Sequence, residues 1–340
     1  MKTLFIGQNE INDASLTKAG EILRRGGLVV FPTETVYGLG ADALDADAAK
    51  KIYAAKGRPS DNPLIVHIAD PADADKYAVV GDAYKRLAKA FMPGPLTVLL
   101  PKRDCIPMTV TGGLDSVGIR CPENPIARRM IAAAGVPIAA PSANISGKPS
   151  PTSAEHVRFD MDGKVDMILD GGECTVGLES TIVKVEGDKL TLLRPGAITL
   201  DMLRTLFDNV EVSAAVTEQL SENVRPLSPG MKYRHYAPTA PLYLLDGSDE
   251  KRLSYCAAAD GDTLLLVFDE EAELFPAHKV IAIGKQSDER TQAKRLFAAL
   301  READSTGCKK ILAPLPKQSG LSLALYNRMI RAAAHNIITL

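Results

Sequence analysis

The feature that most constrains the fold is an alternation of short apolar runs with amphipathic repeats over the first two hundred residues. Apolar residues at helical spacing predict helices, and the runs between them are short enough for single buried strands. The predicted helices are 13–25, 45–55, 82–91, 125–134 and 200–207. The predicted strands are 28–31, 64–68, 96–100, 117–119, 137–140, 165–169, 181–185 and 190–193. Because the later strands outnumber the helices, the pattern predicts a mixed α/β domain.

The last hundred residues show a cleaner alternation. Strands are predicted at 242–245, 264–268, 280–283 and 310–313, and helices at 251–259, 292–302 and 322–336. Strands separated by helices favour a small, mostly parallel sheet. A chain of 340 residues is also long enough for two domains at roughly 100–200 residues each. We therefore predict a first domain at 1–212, a linker at 213–240 and a second domain at 241–340.

Charge and cysteine content narrow the classes of protein. The 40 Lys and Arg residues are balanced by 42 Asp and Glu, which gives a net charge of −2, so an anion site must be a local cluster of cations. The five cysteines contain no C-x-x-C pair and predict neither a disulfide framework nor a zinc site. Scattered thiols, an N-terminus without a secretory apolar stretch and the lack of a membrane-length apolar run predict a cytoplasmic location and no membrane association.

The strongest local signal is the segment KGRPSDNPL at 56–64, between a predicted helix and a predicted strand. Two cations, Lys56 and Arg58, and the amide of Asn62 share one loop that prolines stiffen. Arg offers a planar fork to phosphate oxygens and Lys a compact charge, so the loop indicates an anion site. The alternative is a helix C-terminus whose cations suit the helix dipole, which accounts for Lys56 but does not require Arg58.

A second polar loop, PSANISGKPSPT at 141–152, follows the predicted strand 137–140. Ligands commonly bind at the carboxyl ends of strands, and these hydroxyls suit a polyphosphate and a sugar. An ordinary surface turn remains an equal alternative. Polar residues also stand at other strand ends, in Gly118-Ile119-Arg120, GLEST at 177–181 and LRPG at 193–196, and each of these alone reads as structural.

The turn FPTETVYGLG at 31–40 directly follows a predicted strand. Its two threonines and one carboxylate suit a small polar ligand. His67 ends the next strand, where a hydrogen-bonded structural histidine is the usual interpretation.

Gly38-x-Gly40-x-x-Ala43 fits the dinucleotide fingerprint, but no helix begins where that motif needs one. P-loop, G-x-S-x-G and H-E-x-x-H motifs are absent, and the five scattered histidines predict no metal site.

Taken jointly, these segments resemble the YrdC-type family, in the two-domain form of the threonylcarbamoyl-AMP synthases. The family signature K-x-R followed by S-x-N stands here as Lys56, Arg58, Ser142 and Asn144. The segments P-T-E-T-x-Y-G-L-G, K-G-R-P-x-x-N-P-L, P-S-A-N-x-S-G and G-x-x-S-T-I match in order. The linker S-P-G-M-x-Y-x-H-Y-A-P matches the longer members, so the resemblance spans essentially the whole chain.

The resemblance implies a twisted mixed α/β sheet with a concave, cationic face, joined to a smaller Rossmann-like α/β domain. It implies a nucleotidyltransferase that converts L-threonine, bicarbonate and ATP into threonylcarbamoyl-AMP, pyrophosphate and water. Mg²⁺ is expected to accompany ATP, held by phosphate and water. The product is expected to pass to a tRNA threonylcarbamoyl transferase that modifies tRNAs reading codons that begin with A. Direct tRNA contact is left open.

The resemblance also implies roles for individual residues. Lys56 and Arg58 position phosphates, and no general base is assigned. The implied nucleotide-binding residues are Lys56, Arg58, Asn62, Ser142, Asn144, Ser150, Arg194, Arg234 and Tyr236. The implied threonine-binding residues are Thr35, His67, Arg120, Ala140 through its backbone, and Ser180.

Two questions stay open at this point. The linker carries breakers at 225–230 together with Arg234, His235 and Tyr236, which favours a lid over the nucleotide, although a linker packed on the first domain is the alternative. The rival functions are another YrdC-type activity that handles carbamoyl phosphate and a non-catalytic RNA-binding module. The absence of C-x-x-C pairs weighs against the first, and the balanced charge and scarce aromatics weigh against the second.

Overall fold

The computed structural model describes residues 2–218 and 235–340. Contacts between residues divide these into two units. Unit 1 comprises 2–146, 151–175 and 179–218, and unit 2 comprises 147–150, 176–178 and 235–340. Two short segments from the middle of the chain therefore belong to the unit that the C-terminal residues form.

Unit 1 is built on an 11-stranded sheet. Its strands are β1 (Leu4–Ile6), β2 (Val29–Phe31), β3 (Gly38–Asp42), β4 (Ile65–His67), β5 (Leu96–Pro101), β6 (Ser116–Arg120), β7 (Ile138–Ala140), β8 (Met167–Leu169), β9 (Thr181–Glu186), β10 (Lys189–Arg194) and β11 (Val210–Val212). Its helices are α1 (Asp13–Arg24), α2 (Ala46–Lys56), α3 (Asp82–Phe91), α4 (Pro125–Ala134), α5 (Ala154–Met161) and α6 (Leu200–Arg204).

The strand order is β1-β8-β2-β3-β7-β4-β6-β5-β9-β10-β11. Parallel pairs such as β4 with β6 and β5 with β9 alternate with antiparallel pairs such as β4 with β7 and β5 with β6. The mixed α/β fold expected for this region is therefore confirmed. In this order β4 and β6 are neighbours, so the polar residues at their carboxyl ends come to one edge of the sheet.

An apolar core joins α1 and α4 of unit 1 to the sheet. Leu16 and Leu23 of α1, Met130 of α4, and Val29 and Phe31 of β2 are all buried within it. The i, i+7 spacing of the two leucines places them on one face of α1, so that face packs on the sheet. Burial of such side chains stabilises the fold by roughly 1.5–3 kcal/mol each, and it fixes the strand ends that carry the polar residues.

Unit 2 contains a 5-stranded sheet in which every pair is parallel. Its strands are β12 (Leu242–Asp246), β13 (Thr263–Val267), β14 (Lys279–Ala282), β15 (Lys310–Pro314) and β16 (Ile337–Thr339). Its helices are α7 (Asp249–Ala257), α8 (Glu289–Ser305) and α9 (Ser322–Ala332). The order is β14-β13-β15-β12-β16. The parallel sheet separated by helices is the arrangement predicted for these residues.

Most predicted elements are confirmed, but four strands were missed. These are β1, β3, β11 and β16. The sequence of β3, GLGAD, contains two glycines, which are typical of turns. The predicted turn 31–40 therefore wrongly included the first residues of this strand. A Cβ on Gly38 or Gly40 would lie 2.9 Å from the ring of Phe31, so glycine is required by the close approach of β2 rather than by a turn.

Two predicted helices end three or more residues early. The helix predicted to Phe207 ends at Arg204. The helix predicted to Asn336 ends at Ala332, since Ala334 and His335 have φ values of 49° and 63°. Left-handed backbone cannot continue a right-handed helix, and the following residues form β16 instead.

Candidate active site

The first cluster joins the end of α2 to the loop after β7. Lys56 is the last residue of α2, which ends because Gly57 adopts φ 61°. Lys56 is 2% exposed, and its Nζ donates to Ser142 O at 2.6 Å, to Asn144 O, and to Asn144 Oδ1 at 3.4 Å. Ser142 Oγ donates to the same Asn144 Oδ1 at 2.5 Å. The structure therefore brings three of the four K-x-R and S-x-N residues into direct contact.

Backbone hydrogen bonds hold this loop on both sides. Ala143 N donates to Tyr37 O at 2.8 Å, and Leu39 N donates to Pro141 O at 2.9 Å. Ser146 N donates to Lys56 O at 2.9 Å. The loop after β7 is thus tied to the turn before β3, to β3 itself and to the end of α2, which fixes the positions of its polar side chains.

Arg58, the fourth signature residue, folds back on its own loop. Its Nε donates to Asn62 O at 3.2 Å and its Nη2 to Pro63 O at 3.0 Å. Asn62 is 1% exposed, and its Oδ1 has no hydrogen-bond partner among the described residues. A buried amide oxygen without a partner costs free energy, so it is suited to a donor that a ligand supplies.

The second cluster surrounds Arg120, the last residue of β6. Arg120 Nη2 donates to Glu34 Oε1 at 2.7 Å and to Thr35 Oγ1 at 2.8 Å. Glu34 Oε2 accepts from the backbone N of Glu123 at 3.1 Å. Arg120 and Glu34 are each 4% exposed, and Arg120 Nε is buried without a hydrogen-bond partner in the described chain. This cluster therefore presents a buried guanidinium whose Nε–H is still to be satisfied among the described residues.

The hydroxyl protons of Thr33 and Thr35 have a defined order. Thr33 Oγ1 donates to Val36 O at 2.6 Å, which uses its only proton. The contact of 2.8 Å between Thr33 Oγ1 and Thr35 Oγ1 must then be donated by Thr35. Because Thr35 Oγ1 also accepts from Arg120, it is left with one lone pair and no proton for a ligand. Thr35 is consequently an acceptor toward anything bound beside Arg120.

His67 ends β4 directly opposite Arg120 of β6. Its Nδ1 lies 3.1 Å from Ile65 O, and its ring contacts Phe31 edge-on at 5.8 Å. Burial, together with the charge of Arg120, lowers the pKa of His67 to about 3. The imidazole is therefore neutral at physiological pH. Ala140, the last residue of β7, pairs with Ile65 of β4, since these two strands are antiparallel neighbours.

The third cluster links β5, β9 and β10. Arg194 Nε donates to Ser180 O at 3.0 Å and its Nη2 to Ser180 Oγ at 3.2 Å. Ser180 Oγ lies 2.8 Å from Thr97 Oγ1. The hydroxyl of Ser180 is fully buried between a cation and a second hydroxyl. Ser180 and Arg194, predicted to hold different substrates, are thus in direct contact.

The remaining predicted residues belong to unit 2 or lie outside the described chain. Ser150 is 1% exposed, in a segment where Arg301 Nη2 donates to Pro149 O at 2.6 Å. Tyr236 stacks on Phe297 with ring centroids 5.1 Å apart, and its φ of 63° is the left-handed conformation that costs a non-glycine residue roughly 1–2 kcal/mol. Arg234 and residues 219–233 of the linker lie outside the described residues.

The sequence analysis placed Thr33 and Glu34 only in a turn that suits a small polar ligand, without an individual role for either, and it did not single out Thr97. Thr33 and Glu34 had a signal, because polar residues directly after a buried strand suggest a ligand site. Thr97 had none, since it stands within the apolar run of β5. Over residues 2–218 and 235–340, no helix is both long and apolar enough to cross a membrane.

Comparison with known proteins covers both units. The family model described as "Telomere recombination", which groups the Sua5, YciO and YrdC proteins, matches residues 21–196. The model described as "Threonylcarbamoyl-AMP synthase, C-terminal domain" matches residues 198–334. The threonylcarbamoyl-AMP synthase of Bacillus subtilis (strain 168) is 45% identical over 332 residues, covering 96% of this chain and 95% of the relative. That of Pyrococcus abyssi (strain GE5 / Orsay) is 42% identical over 346 residues, covering 99% of each.

A solved structure agrees over the same length. The crystal structure of P. abyssi Sua5 complexed with L-threonine has a TM-score of 0.90 to this chain at 40% sequence identity, and it covers 100% of both chains. The two family models, the two relatives that match nearly the whole chain and the solved structure all lead to the same assignment. The chain belongs to the threonylcarbamoyl-AMP synthase family, in its two-domain form.

Proposed function

We propose that this protein is a nucleotidyltransferase that makes threonylcarbamoyl-AMP from L-threonine, bicarbonate and ATP. The amine of threonine and bicarbonate form a carbamate with loss of water. A carbamate oxygen then attacks the α-phosphorus of ATP, the bond to the β-phosphate oxygen breaks, and pyrophosphate leaves. The relatives of full length carry the name of this activity, which supports the proposal.

The observation that carries the proposal is the buried Arg120, whose Nε has no hydrogen-bond partner among the described residues. A guanidinium that is 4% exposed and retains a free N–H fits the carboxylate of an amino acid. Thr35 beside it offers an acceptor to the substrate amine. His67, the backbone of Ala140 and the hydroxyl of Ser180 complete the proposed threonine site. The P. abyssi relative was crystallised with L-threonine, which supports this assignment.

We assign the phosphates to the loops that carry cations. Lys56, Arg58 and Arg194 supply positive charge, and Asn62, Ser142, Asn144 and Ser150 supply hydrogen bonds. Arg234 and Tyr236 belong to the same proposal through the family resemblance. Because attacking carbamate and phosphate are both anionic, the task of these residues is to position the reactants and neutralise charge. No residue is assigned as a general base.

Magnesium enters this proposal as part of the MgATP substrate. Within the described ranges, no group of three or more His, Cys, Asp or Glu side chains is placed to hold a metal ion. Phosphate oxygens and water suit Mg²⁺ as its main ligands. We infer that the ion is carried by the nucleotide.

The product is an activated acyl adenylate that water hydrolyses, so it needs a rapid consumer. We propose a hand-over to a tRNA threonylcarbamoyl transferase in the cytoplasm, which modifies tRNAs that read codons beginning with A. A direct contact of this protein with tRNA is the further question that belongs to the same proposal.

The decisive experiment is release of pyrophosphate from ATP by the full chain, with threonine and bicarbonate omitted in turn. We expect release only when both are present, together with a product whose mass is that of threonylcarbamoyl-AMP. ATP turnover that ignores threonine or bicarbonate, or RNA binding with no turnover and a steep salt dependence, would contradict the proposal.

A further inference from the structure

Glu34 is a buried carboxylate to which neither the family resemblance nor the proposed reaction assigns an individual role. It lies in the turn between β2 and β3, directly before Thr35, and it is 4% exposed. Its Oε1 accepts from Arg120 Nη2 at 2.7 Å, and its Oε2 accepts from Glu123 N at 3.1 Å. Both oxygens are therefore held, one by a side chain and one by the backbone, and the carboxylate has a fixed orientation.

The pairing of Arg120 is one-sided. A single nitrogen, Nη2, serves both Glu34 Oε1 and Thr35 Oγ1. The adjacent Nε is buried and has no hydrogen-bond partner in the part of the chain that the structure describes. A pair that serves only the stability of the fold gains most from a two-nitrogen fork on the carboxylate, which leaves no buried donor unsatisfied. The observed pair leaves that donor available.

We propose that Glu34 is a positioning residue for substrate binding: it holds Arg120 by Nη2 so that Nε is presented to the carboxylate of threonine. This inference rests on the proposed function and adds a residue to it. Two carboxylates, one from the protein and one from the substrate, then share the guanidinium on different nitrogens. Glu34 costs the site some attraction for an anion, since it partly neutralises Arg120, and it gives the site a defined geometry in return.

These two effects predict opposite results when Glu34 is removed. If Glu34 only competes for the charge of Arg120, Glu34→Ala increases the affinity for threonine. If Glu34 positions Arg120, the same variant lowers the affinity, because the guanidinium loses its fixed orientation. The proposal commits to the second result.

The test measures binding of L-threonine and of L-threonine amide by calorimetry, without ATP, so that it does not depend on turnover. The amide keeps the amine and hydroxyl and lacks the negative charge. We expect the wild type to prefer threonine by at least about tenfold, the scale of a charged hydrogen bond. In Glu34→Ala we expect threonine to bind at least about tenfold more weakly, with the preference over the amide falling to about threefold or less. Glu34→Gln keeps one oxygen for Arg120 and should fall between the two.

Glu123→Gln is the matched control, because Glu123 is exposed and contributes only its backbone N to Glu34. It makes the same change of charge and should bind both ligands as the wild type does. If Glu34→Ala fails to fold, as circular dichroism will show, Glu34→Gln carries the test. Unchanged or tighter threonine binding by the folded variants would overturn the inference, as would an equal weakening of threonine and its amide. If the wild type itself does not bind threonine, the proposed function fails as well.

Discussion

Lys56 Nζ donates a hydrogen bond of 2.6 Å to the backbone carbonyl of Ser142, a residue 86 positions further along the chain. The same ammonium contacts two oxygens of Asn144. A buried ammonium needs such acceptors because burial removes its water. Lys56 therefore has a structural task, holding the loop after β7, besides the positive charge that it contributes to the proposed phosphate site.

Replacing Lys56 with alanine removes both the charge and the tether of this loop. We expect Lys56→Ala to lower the rate of pyrophosphate release at least tenfold, or about 1.4 kcal/mol. The matched control is Lys50→Ala on the same helix, where the side chain is 66% exposed and pairs with Asp47. Its rate should stay within about twofold of wild type, since exposed pairs contribute little. Equal rates for the two variants would contradict the assignment of Lys56.

Arg58 tests the importance of the guanidinium shape. Its Nε and Nη2 bind two successive carbonyls, those of Asn62 and Pro63. Arg58→Ala should lower turnover at least about tenfold, and Arg58→Lys should recover only part of it because an ammonium lacks the planar fork. Steady-state kinetics with ATP as the varied substrate measures both. Arg103→Ala, which breaks an exposed pair with Asp75, should leave the kinetics unchanged.

Thr33 acts on the proposed threonine site through the hydroxyl of Thr35. In Thr33→Val, Thr35 loses the acceptor for its proton and is free to present a proton to the substrate amine instead of a lone pair. We expect the KM for threonine to rise roughly threefold to tenfold, the scale of one hydrogen bond, with the KM for ATP unchanged. Thr33→Ser keeps the hydroxyl and should restore the wild-type KM. A valine variant with the wild-type KM would show that the proton order does not matter.

The sequence predicted where individual polar residues lie in the fold better than it predicted their contacts. Lys56, Ser142 and Asn144 stand in dense polar loops beside apolar runs, so their location at strand and helix ends followed from local pattern. The contact between Arg120 and Glu34 could not be predicted from the local sequence. Glu34 lies 86 residues away, and only the order of the strands brings the two together. The contact of Thr97 with Ser180 could not be predicted either, because the two are 83 residues apart and Thr97 stands inside an apolar strand.

Local pattern also failed where tertiary contacts outweigh residue preference. Strand β3 is rich in glycine and alanine, residues that strands usually avoid, and it forms because the ring of Phe31 covers both of its glycines. The segments 147–150 and 176–178 group with the C-terminal residues, and no change of composition marks them. Such features depend on contacts between distant segments, which hydrophobic periodicity does not encode.

The buried pair of Arg252 and Glu271 offers a test of stability in unit 2. Arg252 Nη1 donates to Glu271 Oε2 at 2.9 Å, and the two side chains are 3% and 8% exposed. Arg252→Met leaves a buried carboxylate without its cation and should lower the free energy of unfolding by about 3–5 kcal/mol. Adding Glu271→Gln should recover part of this loss. Chemical denaturation measures both, and the exposed pair of Lys309 and Asp262 is the control, where Lys309→Met should cost less than about 1 kcal/mol.

The lowered pKa of His67 predicts how the free energy of unfolding depends on pH. Its pKa is lowered to about 3 in the folded chain, against 6.5 for an ordinary histidine. Between these values the unfolded chain binds a proton that the folded chain does not, so stability is full above pH 6.5 and is lost as the pH falls. At about pH 5 the loss from this residue is roughly 2 kcal/mol.

The variant His67→Gln cannot take up this proton. Denaturant unfolding at about pH 7.5 and about pH 5 should therefore show a loss of stability that is smaller in the variant than in wild type, by roughly 2 kcal/mol. The comparison uses the difference between two pH values, so any cost of the substitution itself cancels. Equal losses in the two proteins would mean that His67 accepts a proton in the folded state, and the neutral imidazole beside Arg120 would then be wrong.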